Sequence, residues 1–167
     1  MKKSVVTLFG IIIFTILLLS YFEYKEKQHA FSTPETALNN LKEMDLEVVE
    51  IISTRFFEKE SVAYTFYYSK INRPKDYLAV AKFNKNNHGW RFENVIGVGN
   101  IDLNNVGNSV EKNGTLIGFS DYGVKSVELD VHKAEIVPLE EKQLKVWLFH
   151  GLNHEEKEDE IQFLHMD

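Results

Sequence analysis

Val62-Ala63-Tyr64-Thr65-Phe66-Tyr67-Tyr68-Ser69 is an uncharged run dominated by β-branched and aromatic side chains. Val62, Tyr64, Phe66 and Tyr68 recur at spacing two, so in an extended chain they share one face, and Ala63, Thr65, Tyr67 and Ser69 share the other. Such residues suit a pleated, half-buried surface, and the segment reads as a strand with one strongly aromatic side. The aromatic rings could stack on sugars or bases, but a packed sheet face is the simpler reading. Tyr67, on the opposite face, is the one expected to be exposed. Runs of similar character surround this segment at Leu46 to Thr54, Tyr77 to Asn84 and Trp90 to Val98. Turn-forming stretches separate them: Glu58-Lys59-Glu60, Asn72-Arg73-Pro74-Lys75-Asp76 and Asn84 to Gly89. Short strands joined by short turns predict an antiparallel meander.

Upstream, Phe31-Ser32-Thr33-Pro34-Glu35 carries a helix start: Ser32 can cap, Glu35 can close a capping box, and Pro34 fits the first turn. Ala37, Leu38, Leu41 and Met44 then recur at helical spacing. The spacing predicts a short amphipathic helix over Thr33 to Met44, packed on the aromatic side of the meander. Downstream, Gly97 to Asn108 is rich in glycine and asparagine and reads as a loop or seam. Asn113-Gly114 inside Val110 to Ile117 is the preferred pair for a type I′ hairpin turn. Val127, Leu129 and Val131 alternate with Ser126, Glu128, Asp130 and His132, and Ala134 to Val137, Leu144 to Phe149 and Ile161 to Leu164 add further strands. This half is expected to form a small sandwich or to extend the first sheet.

Charge divides the chain in another way. Its 167 residues hold 19 Lys and Arg against 25 Asp and Glu, a net charge of −6. Ser4 to Phe22 is 19 residues without a charge, and as a helix it would span about 28 Å, close to the roughly 30 Å hydrocarbon core. The run is longer than a cleavable signal requires and its nearest cleavage site, with Leu18 and Ser20 before the cut, is a poor one, while Tyr21, Phe22 and Tyr24 suit a membrane interface. A retained transmembrane anchor is therefore expected, in contact with the lipid bilayer through residues 4–22. Residues 23–167 lose only Lys2 and Lys3 from the count and carry a net −8. That balance opposes nucleic-acid binding and offers anionic headgroups no bulk attraction. Zero cysteines exclude thiol chemistry, disulfides and a lipid-modified cysteine.

These readings together predict an α+β fold: an N-terminal transmembrane helix, a short amphipathic helix on an antiparallel sheet, then a β-rich, sandwich-like half. The expected organisation is an anchor with its short cytoplasmic tail over 1–22, a juxtamembrane linker over 23–32, helix and meander over 33–98, and the β-rich half over 99–167.

Phosphate-binding glycine loops, the serine nucleophile elbow and the zinc-binding His-Glu-x-x-His helix are all absent, so no catalytic or cofactor-binding residue is assigned. Two groups are candidates for a divalent metal. Glu128, Asp130 and His132 would project from one strand face, with neighbours about 7 Å apart. His150 and His154 flank a probable turn beside an acidic run. Alternation and a solvated turn explain both groups without a metal. Glu58, Glu60, Glu93, Asp102 and Asp121 are possible acids for an envelope hydrolase, which needs two carboxylates held about 5 to 10 Å apart.

The charged start, the single apolar run, the Phe31-to-Leu38 helix opening, the Gly89-Trp90 strand entry and Lys145-Val146-Trp147-Leu148-Phe149 together resemble small membrane-anchored extracytoplasmic proteins of Gram-positive bacilli. The resemblance spans most of the chain and implies a cell-membrane location with the C-terminal body outside the cytoplasm. The expected function is a non-catalytic, membrane-tethered binding or regulatory module of the cell envelope, with a protein or wall polymer as partner. The alternative is an envelope hydrolase or a divalent-metal-binding protein.

Overall fold

The computed structural model describes residues 2–41, 47–71, 73–153 and 160–165, with side chains described from residue 11 onward. Helix α1 runs Lys2–Gln28 and helix α2 Pro34–Asn39. Strands β1 (Val48–Phe57), β2 (Val62–Ser69), β3 (Tyr77–Asn86) and β4 (Gly89–Asn100) form a four-stranded antiparallel sheet in chain order, the expected meander. A second sheet has the order β5-β6-β10-β9, from β5 (Ser109–Lys112), β6 (Thr115–Asp121), β9 (Glu135–Leu139) and β10 (Leu144–Phe149). A third pairs β11 (Gln162–His165) and β8 (His132–Lys133) on either side of β7 (Val124–Leu129).

These elements stack in four layers. The aromatic face of the first sheet, with Tyr64, Phe66, Leu78, Val80 and Ile96, packs on the second sheet through Ile117, Phe119, Val137, Val146 and Leu148. The second half thus makes its own sheets and does not extend the first. Alternation sends Leu116, Trp147 and Phe149 to the other side of the second sheet, where Val124, Val127 and Leu129 of the third cover them.

Helix α2 sits on the face opposite the one expected. Ala37 and Leu38 pack against Ala63, Tyr67, Ala79, Ala81 and Phe83, and Tyr67 is fully buried there rather than exposed. Size explains the choice of faces. The three sheet alanines leave a shallow bed that a helix can approach closely, whereas the large rings need the broad partner that a second sheet supplies. The helix is also shorter than its periodicity suggests, ending at Asn39 with Asn40 as its C-cap. Met44 lies outside the described residues. Thr33, not Ser32, caps the start, its Oγ1 accepting the Thr36 N–H at 3.1 Å. Glu35 leaves the expected capping box and accepts a hydrogen bond from Thr54 of β1. Burial pushes the Glu35 carboxyl up, but the bonds from Thr54, its own backbone and Thr33 outweigh it, and the group ends below its ordinary range.

Among the described residues, no helix is long and apolar enough to cross a membrane. The transmembrane helix expected over Ser4 to Phe22 is therefore not shown. The described side chains of α1, residues 11–28, include only Ile11 to Phe22 of the uncharged run, followed by Glu23, Lys25, Glu26 and Lys27. The helix continues through Gln28, six residues into the stretch read as a linker.

Past α1 the chain is fastened at once. Phe31 and Trp90 exchange two backbone hydrogen bonds, of 2.9 and 2.8 Å, which add Phe31 to the outer edge of β4. Gly89 permits this approach: its φ is +135°, and a Cβ there would lie 2.3 Å from the Phe31 carbonyl oxygen.

Candidate functional site

The most developed polar arrangement begins on the aromatic face of β2. Tyr64 is fully buried between the first two sheets, where its hydroxyl needs partners. It lies 2.7 Å from Thr115 Oγ1 of β6 and 2.8 Å from His150 Nδ1, just past β10. His150 Nε2 lies 2.9 Å from Glu58 Oε1 at the surface. Phe57 flanks the row, with its ring centroid 5.4 Å from that of Tyr64 and 5.2 Å from that of His150. Four side chains from four parts of the chain thus form one row from the inter-sheet core to solvent.

The proton positions follow from the chemistry of the ends. The Glu58 carboxylate only accepts, so His150 Nε2 carries a proton. With neutral imidazole, Nδ1 accepts from the Tyr64 hydroxyl, which accepts in turn from Thr115. With imidazolium, Nδ1–H donates to Tyr64, and Tyr64 donates to Thr115. The row stays fully bonded in both states, and its direction reverses. Burial pushes the Tyr64 phenol up to about 12, keeping it a neutral donor.

Backbone geometry delivers Glu58. Glu58, Lys59 and Glu60 all have positive φ, at 48°, 56° and 67°, forming a left-handed turn between β1 and β2. Left-handed conformations are unfavourable for residues with a Cβ. The Ser61 hydroxyl, donating to the Glu58 carbonyl at 2.9 Å, and the Glu58–His150 bond hold the turn.

Two expectations attach to the row. Replacing Tyr64 by Phe should cost about 1–3 kcal/mol, because Thr115 and His150 Nδ1 keep their burial and lose their shared partner; chemical denaturation measures it. The hydrogen bond from His150 holds the Glu58 carboxyl below its ordinary 4.5. A lowered folded-state value means the stabilisation is present above that pH and is lost as the pH falls through the lowered value. Thermal melts between pH 5 and 3 should therefore show an acid loss that is shallower in Glu58→Gln.

The other predicted residues are dispersed. Glu128 is the penultimate residue of β7 and accepts from Ser126 Oγ at 3.0 Å. Asp130 occupies a left-handed turn with φ 49°, and His132 begins β8, so the three metal candidates do not share a strand face. The expected strand turns at Asp130. Among the described residues, no group of three or more His, Asp or Glu side chains could hold a metal ion. His154 lies outside them. Glu93 is engaged by Lys82 at 3.1 Å and Asn84 at 2.7 Å. Asp102 and Asp121 accept backbone N–H groups within their own loops, at 2.6 and 2.8 Å. Tyr21, Phe22 and Tyr24 are exposed on α1; Lys25 lies over the Tyr21 ring at 5.3 Å, and Gln28 Nε2 donates to the Tyr24 hydroxyl at 2.6 Å.

A second arrangement, which sequence reasoning missed, lies where α1 meets the β3–β4 hairpin. Arg91 reaches Glu26 at 3.8 Å. Beside this pair an open recess of about 200 Å³ is lined by Glu26, Lys85, Asn86, Arg91, Phe92 and Glu93, among others. Lys85 stands 5.3 Å over the Trp90 ring, whose other neighbours include the exposed Phe56 at 5.5 Å. The alternation of small clusters with single charges along β3 and β4 gave no local sign of it, because Glu26 and Arg91 are 65 positions apart in the sequence. No protein-family model, curated protein or solved structure matches this chain.

Proposed function

We propose that the chain is a membrane-tethered binding module of the cell envelope, non-catalytic, with its β-rich body outside the cytoplasm and a protein or wall polymer as partner. The observation that carries this reading is the junction between α1 and the sheet. A helix that includes the 19-residue uncharged run is followed, three residues after its end, by the Phe31–Trp90 bridge. Lys2 and Lys3 precede the run, and Tyr21, Phe22 and Tyr24 close it, as a membrane span with an interfacial belt requires. A body attached this closely presents its surface at a fixed height above a bilayer. The hydrolase reading is less favoured, because both ring nitrogens of His150, the best-placed general base, are already engaged by Glu58 and Tyr64.

Full-length protein should stay in the membrane fraction through an alkaline carbonate wash, and protease added to intact cells should digest its body. Release by carbonate would remove the anchor from this reading, and full protection from protease would reverse the orientation.

A further inference from the structure

We propose that the hairpin end of the first sheet docks on the headgroups of the bilayer that holds α1, with Lys85 and Arg91 meeting lipid phosphates and Phe92 entering the interfacial layer. This rests on the tether reading and adds to it a specific lipid-contacting face. The argument is one of height. Phe22 closes the uncharged run, and Glu26, four residues on, stands about 6 Å farther along the helix axis. The headgroup layer of one leaflet is about 5–7 Å thick. Arg91 lies 3.8 Å from Glu26, which places its guanidinium at headgroup level, and the Phe31–Trp90 bridge holds the hairpin there.

The chemistry of the face agrees with its position. Lys85 and Arg91 line an open recess with Phe92, which is exposed, and the exposed Phe56 lies 5.5 Å from the Trp90 ring that Lys85 covers. Lys25 and Lys27 lie in the last turn of α1, on the same side of the expected interface. Of the acids at this end, Glu93 is occupied by Lys82 and Asn84 and Glu58 by His150, and Arg91 meets Glu26 through one nitrogen at 3.8 Å, keeping its other donors for a phosphate; Glu23 and Glu60 stand against Lys25, Lys27, Lys59 and Lys85. A body of net charge −8 therefore concentrates cations beside aromatic rings at its membrane-proximal end, the combination that suits an anionic lipid surface. Bulk charge alone hid this face.

The chain has no cysteine, so one introduced thiol reports one place. Full-length Phe92→Cys and Val131→Cys, each carrying an environment-sensitive fluorophore, are reconstituted into vesicles of phosphatidylcholine alone or mixed with phosphatidylglycerol, with a headgroup-attached quencher. Val131 is an exposed control in the turn joining β7 to β8 of the third sheet, at the far side of the stack. Quenching at position 92 should exceed that at 131 by about twofold or more, increase with phosphatidylglycerol, and weaken with added salt. Lys85→Glu with Arg91→Glu, both surface changes, should abolish the lipid dependence while leaving the protein carbonate-resistant. Equal quenching at 92 and 131 in carbonate-resistant protein overturns the docking and leaves the tether standing. Quenching at 92 that ignores phosphatidylglycerol and the double substitution overturns the phosphate contact. Protein that never resists carbonate overturns the tether, and the docking with it.

Discussion

Trp147→Ala is expected to lower stability by about 3–5 kcal/mol, a large part of the 5–15 kcal/mol typical of a folded domain. In this body that corresponds to a fall in melting temperature of roughly 10–15 °C. Trp147 is fully buried at the centre of the layer between the second and third sheets, with Phe149 and Phe163 at ring distances of 5.7 and 6.1 Å. Its ring lies directly on Gly118, where a Cβ would come within 2.4 Å of it. Truncation opens a cavity walled by strands of two sheets, which cannot close over it without breaking register. Trp147→Phe should cost far less. The indole N–H meets no hydrogen-bond partner among the described residues, so Phe removes an unsatisfied donor while keeping most of the apolar area. Equal losses for Ala and Phe, measured by urea denaturation, would contradict this account of the packing.

Gly89→Ala is the second change with a large expected effect, at about 2–4 kcal/mol from backbone strain and overpacking together. A side chain at φ +135° is unfavourable anywhere, and here its Cβ would strike the Phe31 carbonyl oxygen. The relief available is to give up the two Phe31–Trp90 bonds. The variant should therefore be cut after Lys27 and Phe31 by trypsin and chymotrypsin well below its melting temperature, while in the parent these two bonds are cut only as it unfolds, whatever is cut elsewhere in the body. Cleavage at the same rate in both proteins would mean that the bridge does not hold the junction.

What could be read in the residues was mostly periodicity. β2, β3, β4 and β10 follow from alternation of large apolar side chains, and the Asn113-Gly114 turn from its backbone demands, with φ of 51° and 76° as a type I′ turn needs. The large side chains of Val62, Tyr64, Phe66 and Tyr68 point α2 to the wrong face, which the second sheet covers instead. Ala63, Ala79 and Ala81 were the better guide, since small residues on a sheet mark where a helix comes close. The Glu128 group failed for a local reason: Asp130 tolerates the left-handed conformation, and the strand turned there. Glu58 reads as an acid and His150 as a metal candidate, but nothing local links residues 92 positions apart. One clue did exist. A tyrosine on an otherwise apolar strand face carries a hydroxyl that must find a partner in the core, and Tyr64 stood in such a place.

The order of the sheets also sets an order in time. Each strand of the first sheet pairs with its neighbour in sequence, so the meander can close as soon as Asn100 has emerged. The second sheet must wait, because β6 pairs with β10, and the whole of β7 to β9 lies between them. During that interval Tyr64, Phe66, Leu78 and Val80 lack the cover that Val146 and Leu148 later provide. A chain synthesised from its N-terminus thus passes through a stage with a finished sheet and a bare aromatic face, the point at which it is most exposed to self-association and most in need of a folding escort.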